Sequence, residues 1–289
     1  MKIRTRDFRV PPGNRVRLGK WPTRVPPVYE TKGDYEKTLA HHVSRLSALQ
    51  ELLYASDQYT LLVIFQGMDT SGKDGAIKHV MSGVNPQGCR VTSFKHPSAT
   101  ELQHDFLWRA VQALPERGCI GIFNRSYYEE VLVVRVHPEL LHAEGLPDSK
   151  LADGKVWKAR YRSIVDLERH LERCGTRVIK FFLHVSKDEQ RERLLARLDD
   201  PEKRWKFNLG DIDERNFWPG YMDAYERCLG ATSTANAPWY VVPADDKENA
   251  RLIVSQVIVE TLDKLDMRYP QLDAAEQQKL LSVHAALKA

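Results

Sequence analysis

Long apolar runs are missing from this 289-residue chain. The longest, LLVIF at 61 to 65 and VLVV at 131 to 134, fall far short of the roughly 20 residues that a membrane-spanning helix requires. The charged start MKIRTRDFRV has no apolar stretch behind it, so no secretory signal is expected. Cysteine is scarce: Cys89, Cys119, Cys174 and Cys228 stand far apart with no C-x-x-C pair, which argues against a zinc site or a disulfide framework and fits a reducing cytoplasm. No G-x-S-x-G elbow, H-E-x-x-H helix, internal repeat or low-complexity tract occurs, which removes hydrolase-triad and zinc-protease readings. What remains is 42% hydrophobic and 28% charged, enough apolar material for a large α/β core and too much for a disordered or collagen-like chain.

The formal net charge is +4, which by itself suggests an anionic partner. Its distribution is uneven. Residues 1 to 24 hold Lys2, Arg4, Arg6, Arg9, Arg15, Arg17, Lys20 and Arg24 against Asp7 alone, so the remainder of the chain is formally acidic. An anion site in the body must therefore be made by local placement of a few cations.

The basic segment, rich in proline at Pro11, Pro12, Pro22, Pro26 and Pro27, predicts an arm over residues 1 to 33 that is extended and packed on a surface, or mobile. A helix of about five turns is expected next, with Asp34 as its N-cap and Leu39, Val43, Leu46, Leu49 and Leu53 at helical spacing. TLLVIF (60 to 65) is a run of the kind buried on both faces of a parallel sheet, and RVTSF (90 to 94), CIGIF (119 to 123), RVIKFFLHV (177 to 185) and PWYVVPA (238 to 244) resemble it. Ser98 with Glu101, and Ser186 with Glu189, have capping-box spacing and open helices between strands. This alternation predicts a three-layer α/β fold whose ligand site lies at the carboxyl ends of parallel strands.

GMDTSGKDG (67 to 75) follows the first strand and has the G-x-x-x-x-G-K spacing of a phosphate-binding loop in Gly67, Gly72 and Lys73, with Ser71 and Gly75 flanking. Glycines let backbone N–H groups converge on phosphate oxygens, the helix N-terminus adds its positive end, and Lys73 adds a full charge. Asp74 stands where a Ser or Thr hydroxyl would hold Mg²⁺, and Asp69 places an acid inside the loop, as a magnesium ligand, an orienter of an attacking oxygen, or a solvated turn residue.

In CIGIFNRSYYEEVLVVRV (119 to 136), Asn124 occupies the strand end where nucleoside-triphosphate enzymes usually carry a metal-organising Asp. Glu129 or Glu130, about one turn into a following helix, would supply the missing charge. Arg125 would point a guanidinium fork at phosphate oxygens or make a helix-start ion pair, and Tyr127 and Tyr128 would pack or touch ligand. The stretch 190 to 207 carries Arg191, Arg193, Arg197, Lys203, Arg204 and Lys206, as either a solvated face or a mobile lid over a transferred phosphate. Lys95, His96, Pro97 and Ser98 form a strand-to-helix turn that would bind a second phosphorylated ligand or serve only as a turn.

GMDTSGKDG, VNPQGCRVTSFKHPSATELQHDFLWR, IFNRSYYEEVLVVRVHP and DEQRERLLARLDDPEKRWKF, in this order, resemble polyphosphate kinase family 2 over about residues 34 to 270. The Asn-Arg-Ser-Tyr-Tyr-Glu-Glu form resembles the branch acting on both nucleoside mono- and diphosphates. The resemblance implies a thymidylate-kinase-like P-loop kinase fold with a helical lid at about 190 to 215, a tail from 271 to 289, and a cytoplasmic homo-oligomer. It also implies inorganic polyphosphate as donor, Mg²⁺ organised by Asp69 and Glu129, and polyphosphate gripped by Lys73, Arg125 and the lid residues Lys203 and Arg204. An ATP-dependent nucleoside monophosphate kinase would share loop and lid. Nucleic acid is not an expected partner, since no N-K-x-D motif or aromatic-basic platform is present.

Overall fold

The computed structural model describes residues 3–147 and 154–288, apart from the side chain of Lys206; Lys2 and that side chain, counted among the cations above, lie outside the described residues. Five parallel strands form one sheet: β1 (Thr60–Gln66), β2 (Cys89–Ser93), β3 (Ile120–Asn124), β4 (Thr176–His184) and β5 (Trp239–Pro243), in the order β2-β3-β1-β4-β5. Central β1 is buried along its whole length, as an uninterrupted Leu/Val/Ile/Phe run requires when both faces are covered.

The helices are α1 (Lys32–Ser56), α2 (Lys73–Val80), α3 (Lys155–Arg173), α4 (Lys187–Asp199), α5 (Trp218–Thr232), α6 (Lys247–Leu262) and α7 (Ala274–Lys288), with short turns between them. On β4, Lys180 reaches Glu168 of α3 and the Phe182 ring packs tilted against Tyr225 of α5. Strand alternation turns Ile179, Phe181 and Leu183 to the opposite face, and α6 packs against β4 and β5 with α1 and α2 beside it. Helices thus cover both faces, and the loops after β1, β3 and β4 meet at the carboxyl edge in the middle of the sheet.

Two sequence expectations change here. The N-cap of α1 is Thr31, whose hydroxyl accepts from the Asp34 N–H while Asp34 accepts from the Thr31 N–H, so Asp34 is the third helical residue, completing a capping box, rather than the N-cap. β2 is an edge strand with Val91 half exposed, because only β3 pairs with it; its polar residues Arg90, Thr92 and Ser93, unlike the run in β1, are those of a strand with a wet side.

The basic arm is packed. Ile3, Val10, Val16 and Leu18 are buried, and Arg9 makes an antiparallel bridge to Tyr240, so the arm covers the free edge of β5. The Val10 N–H donates to Trp239 O at 2.9 Å, and its carbonyl accepts from Ser233 at 2.8 Å. Its apolar residues point in and most of its cations stay at the surface.

Candidate functional site

The loop after β1 can close tightly only because Gly67 lacks a side chain. At its φ of 155° a Cβ would lie 2.7 Å from Ser71 Oγ and 2.9 Å from Leu183 O. Gly72, with φ of 102°, then turns the chain into α2, whose first turn carries Asp74 and Gly75. Lys73 is buried, and its Nζ donates to Gly67 O at 2.7 Å and Met68 O at 3.2 Å, folding back over the loop. Burial, and after it the Arg125 guanidinium, lower its pKa to about 8 against the opposing pull of Asp69, Glu129 and Asp74. Among the described residues the buried hydroxyls of Thr70 and Ser71 have no hydrogen-bond partner, and phosphate oxygens would accept from them.

The end of β3 supplies the other half. Asn124 Nδ2 donates to Asp74 Oδ1 at 2.7 Å, tying the strand end to the start of α2. Arg125 follows in the left-handed region at φ of 62°, its N–H bonded to Phe65 O at 3.0 Å. Its guanidinium reaches Asp69 Oδ1 at 2.6 Å and Glu129 Oε2 at 3.4 Å. Glu129 first, and then Asp69, raise the pKa of Arg125 against the effect of burial. Glu129 and Glu130 lie on a 3-10 turn, Tyr127–Val131, rather than one turn into an α-helix. Tyr127 and Tyr128 are fully buried and both donate to Glu168, which pairs with Lys180 at 2.5 Å; they pack and do not face the loop.

Beside Arg125 and Glu129 opens a cavity of about 210 Å³ lined also by Lys95, His96 and Pro97. Ser98 does not line it; it caps the turn Ala99–Leu102 in a complete capping box with Glu101. The cavity and the loop therefore share Arg125 as their common wall.

Polyphosphate kinase 2 is the family model that matches, over residues 29–270. The chain belongs to the polyphosphate kinase 2 family. It is 61% identical over 287 residues, 99% of each chain, to the ADP-polyphosphate phosphotransferase of Rhodopseudomonas palustris. It is 46% identical to the AMP/ADP-polyphosphate phosphotransferase of Meiothermus ruber, covering 94% of this chain and 98% of that one. The crystal structure of polyphosphate kinase 2 from Arthrobacter aurescens superposes with a TM-score of 0.85 at 41% identity, over 96% of this chain and 95% of that one. Like its family, the chain is a kinase of the phosphotransferase type, and among the described residues no helix is long and apolar enough to cross a membrane.

The cations of residues 190 to 207 do not form one group. Lys203 pairs with Asp200, and Arg204 Nε donates to Leu198 O at 2.7 Å; both bonds stay inside their own segment. Arg193 fits neither a solvated face nor a lid: it is buried, and α4 aims it at loop carbonyls. From the segment after α4 Asp211 approaches the loop, paired with Arg197 at 3.4 Å, its pKa raised by burial and then by the charge of Asp69.

Asp69 and Glu129 meet on one guanidinium next to Lys73, and Asp74 is held by Asn124. These are hard oxygen donors, few in number, which fits Mg²⁺ shared with phosphate oxygens and water. Among the described residues no group of three or more His, Cys, Asp or Glu forms an all-protein metal cage. Sequence reasoning missed Arg109, which bonds Lys95 O at 2.8 Å and Glu130 at 3.1 Å and so fixes the cavity wall. It missed Gln190 as well, which donates to Asp69 O at 3.0 Å. No local pattern marks either residue, since each acts on a partner distant in sequence.

Proposed function

We propose that this chain transfers the terminal phosphoryl group of inorganic polyphosphate to nucleoside mono- and diphosphates, with Mg²⁺ as cofactor. The observation that carries this reading is the position of Arg125, between a phosphate loop with unpartnered buried hydroxyls and a cavity lined by Lys95, His96 and Pro97. The names of the relatives, which act on ADP or on AMP and ADP with polyphosphate, support the donor and acceptor classes.

Polyphosphate lies on the loop, where the N–H groups, Lys73 and Arg125 neutralise its oxygens; the acceptor's phosphate enters from the side of Lys95, His96 and Pro97. An acceptor phosphate oxygen attacks the terminal phosphorus in line, the bridging P–O bond breaks, and the shortened chain leaves with the electron pair. Asp69 and Glu129 would hold Mg²⁺, which would neutralise phosphate charge. Asp69 also orients the acceptor oxygen, and Asn124 keeps Asp74 from competing by holding its carboxylate. Lys203 and Arg204 reach the donor when the lid segment closes, which excludes water. Catalysis is mainly positioning and charge neutralisation. Incubation with Mg²⁺, polyphosphate as sole donor and AMP or ADP, with the nucleotides resolved, tests the reading; formation of ADP or ATP is the expected result.

A further inference from the structure

The first two turns of α4 grip the loop from behind. Gln190 Nε2 donates to Asp69 O at 3.0 Å, and Arg193 Nη1 donates to Thr70 O and Ser71 O, both at 3.0 Å. Three consecutive loop carbonyls are thus held by two side chains one helical turn apart. Both side chains are buried and are themselves fixed. Arg215 Nη1 donates to Gln190 Oε1 at 2.6 Å, Arg193 Nε donates to Glu189 at 2.9 Å, and Arg193 Nη2 donates to Ala244 O at 2.5 Å and Asp245 O at 3.3 Å.

Between the gripped carbonyls, Thr70 sits at φ of 59°, a left-handed conformation that a β-branched residue avoids. Such a conformation persists where the surroundings over-determine it. A trans peptide places its C=O and N–H on opposite sides, so holding the carbonyls of Asp69 and Ser71 toward α4 turns the N–H groups of Thr70 and Gly72 away from it.

We propose that Gln190 and Arg193 are positioning residues for phosphoryl transfer: they set the backbone at Asp69–Ser71, and with it the direction of the Asp69 carboxylate and of the loop N–H groups. The start of α4 then belongs to the rigid support of the site, and lid closure hinges beyond Arg193. The role rests on the assignment of Asp69 made above. It differs from a general contribution to folding in what it leaves alone, because neither residue lines the acceptor cavity.

The test is steady-state kinetics with polyphosphate and ADP, with thermal melts, for Gln190→Ala, Arg193→Lys and Arg193→Ala. A misplacement of about 1 Å costs on the order of 100-fold, so Arg193→Ala should lose about 100-fold in kcat and Gln190→Ala about tenfold, with Arg193→Lys between them because one ammonium cannot span both carbonyls. The KM for ADP should stay within about threefold. If Arg193→Ala does not fold, Gln190→Ala and Arg193→Lys carry the test. Folded variants with parental kcat, or an ADP KM that rises in step with the loss of kcat, would overturn the proposal. Asp69→Asn, measured alongside, separates the two claims. Full activity there sinks the role of Asp69, whereas an inactive Asp69→Asn beside fully active Gln190→Ala and Arg193→Lys sinks this one.

Discussion

Arg125 Nη2 lies 2.6 Å from Asp69 Oδ1, so the first residue after β3 is ion-paired to an acid inside the phosphate loop after β1. The pairing joins the ends of the adjacent strands β1 and β3, and together with Glu129 it raises the pKa of Arg125.

Replacing that acid isolates its chemical role. Asp69→Asn keeps the shape, and Arg125 retains Glu129 as a partner. Turnover should fall by about 100-fold or more, while the melting temperature moves by no more than about 2 °C. Parallel kinetics and calorimetry check this, and near-parental turnover would refute the role.

Lys73 gives the pH dependence a sign. Its pKa is lowered to about 8 in the ligand-free protein, so it is charged below that pH and progressively neutral above it. The kcat/KM for polyphosphate reports groups of the free enzyme, and it should be level up to about pH 7 and fall through about pH 8 as the attracting charge is lost. A pH-rate profile that stays flat to about pH 9.5, beyond the titration of a lysine near 8, would exclude this assignment.

Deleting residues 1 to 24 should damage the fold. Ile3, Val10, Val16 and Leu18 are buried, each contributing about 1.5–3 kcal/mol, and the edge of β5 is covered by Arg9 and Val10. The truncated chain should melt well below the parent and associate through the uncovered edge. A truncation that stays monodisperse and melts with the full chain, by light scattering and calorimetry, would show that the arm is dispensable for stability.

Much of the architecture was legible because it is written in local patterns. The apolar runs at 60 to 65 and 177 to 185 are long enough to need cover on both faces, and the glycine spacing of 67 to 75 states which backbone can curl. β2 was over-read, since a five-residue segment does not show how many neighbours its strand will have. The loop, Arg125 and the Lys95–Pro97 turn come together as their strand ends require. Arg193 was misjudged for a different reason. A row of cations along a helix looks the same whether it faces water, phosphate or a loop's carbonyls, and only the approach of α4 to residues 69 to 71 decides between them. The arm shows the same limit: its charges are conspicuous in sequence, yet four scattered apolar residues fix its place.

The most direct measurement compares donors. Initial rates of ADP formation from AMP, and of ATP formation from ADP, are taken with Mg²⁺ and either polyphosphate alone or, for the AMP reaction, ATP alone. Rapid phosphorylation of both acceptors from polyphosphate is expected, with little AMP phosphorylation from ATP. Efficient transfer from ATP to AMP, with no nucleotide product from polyphosphate, would contradict the proposed function.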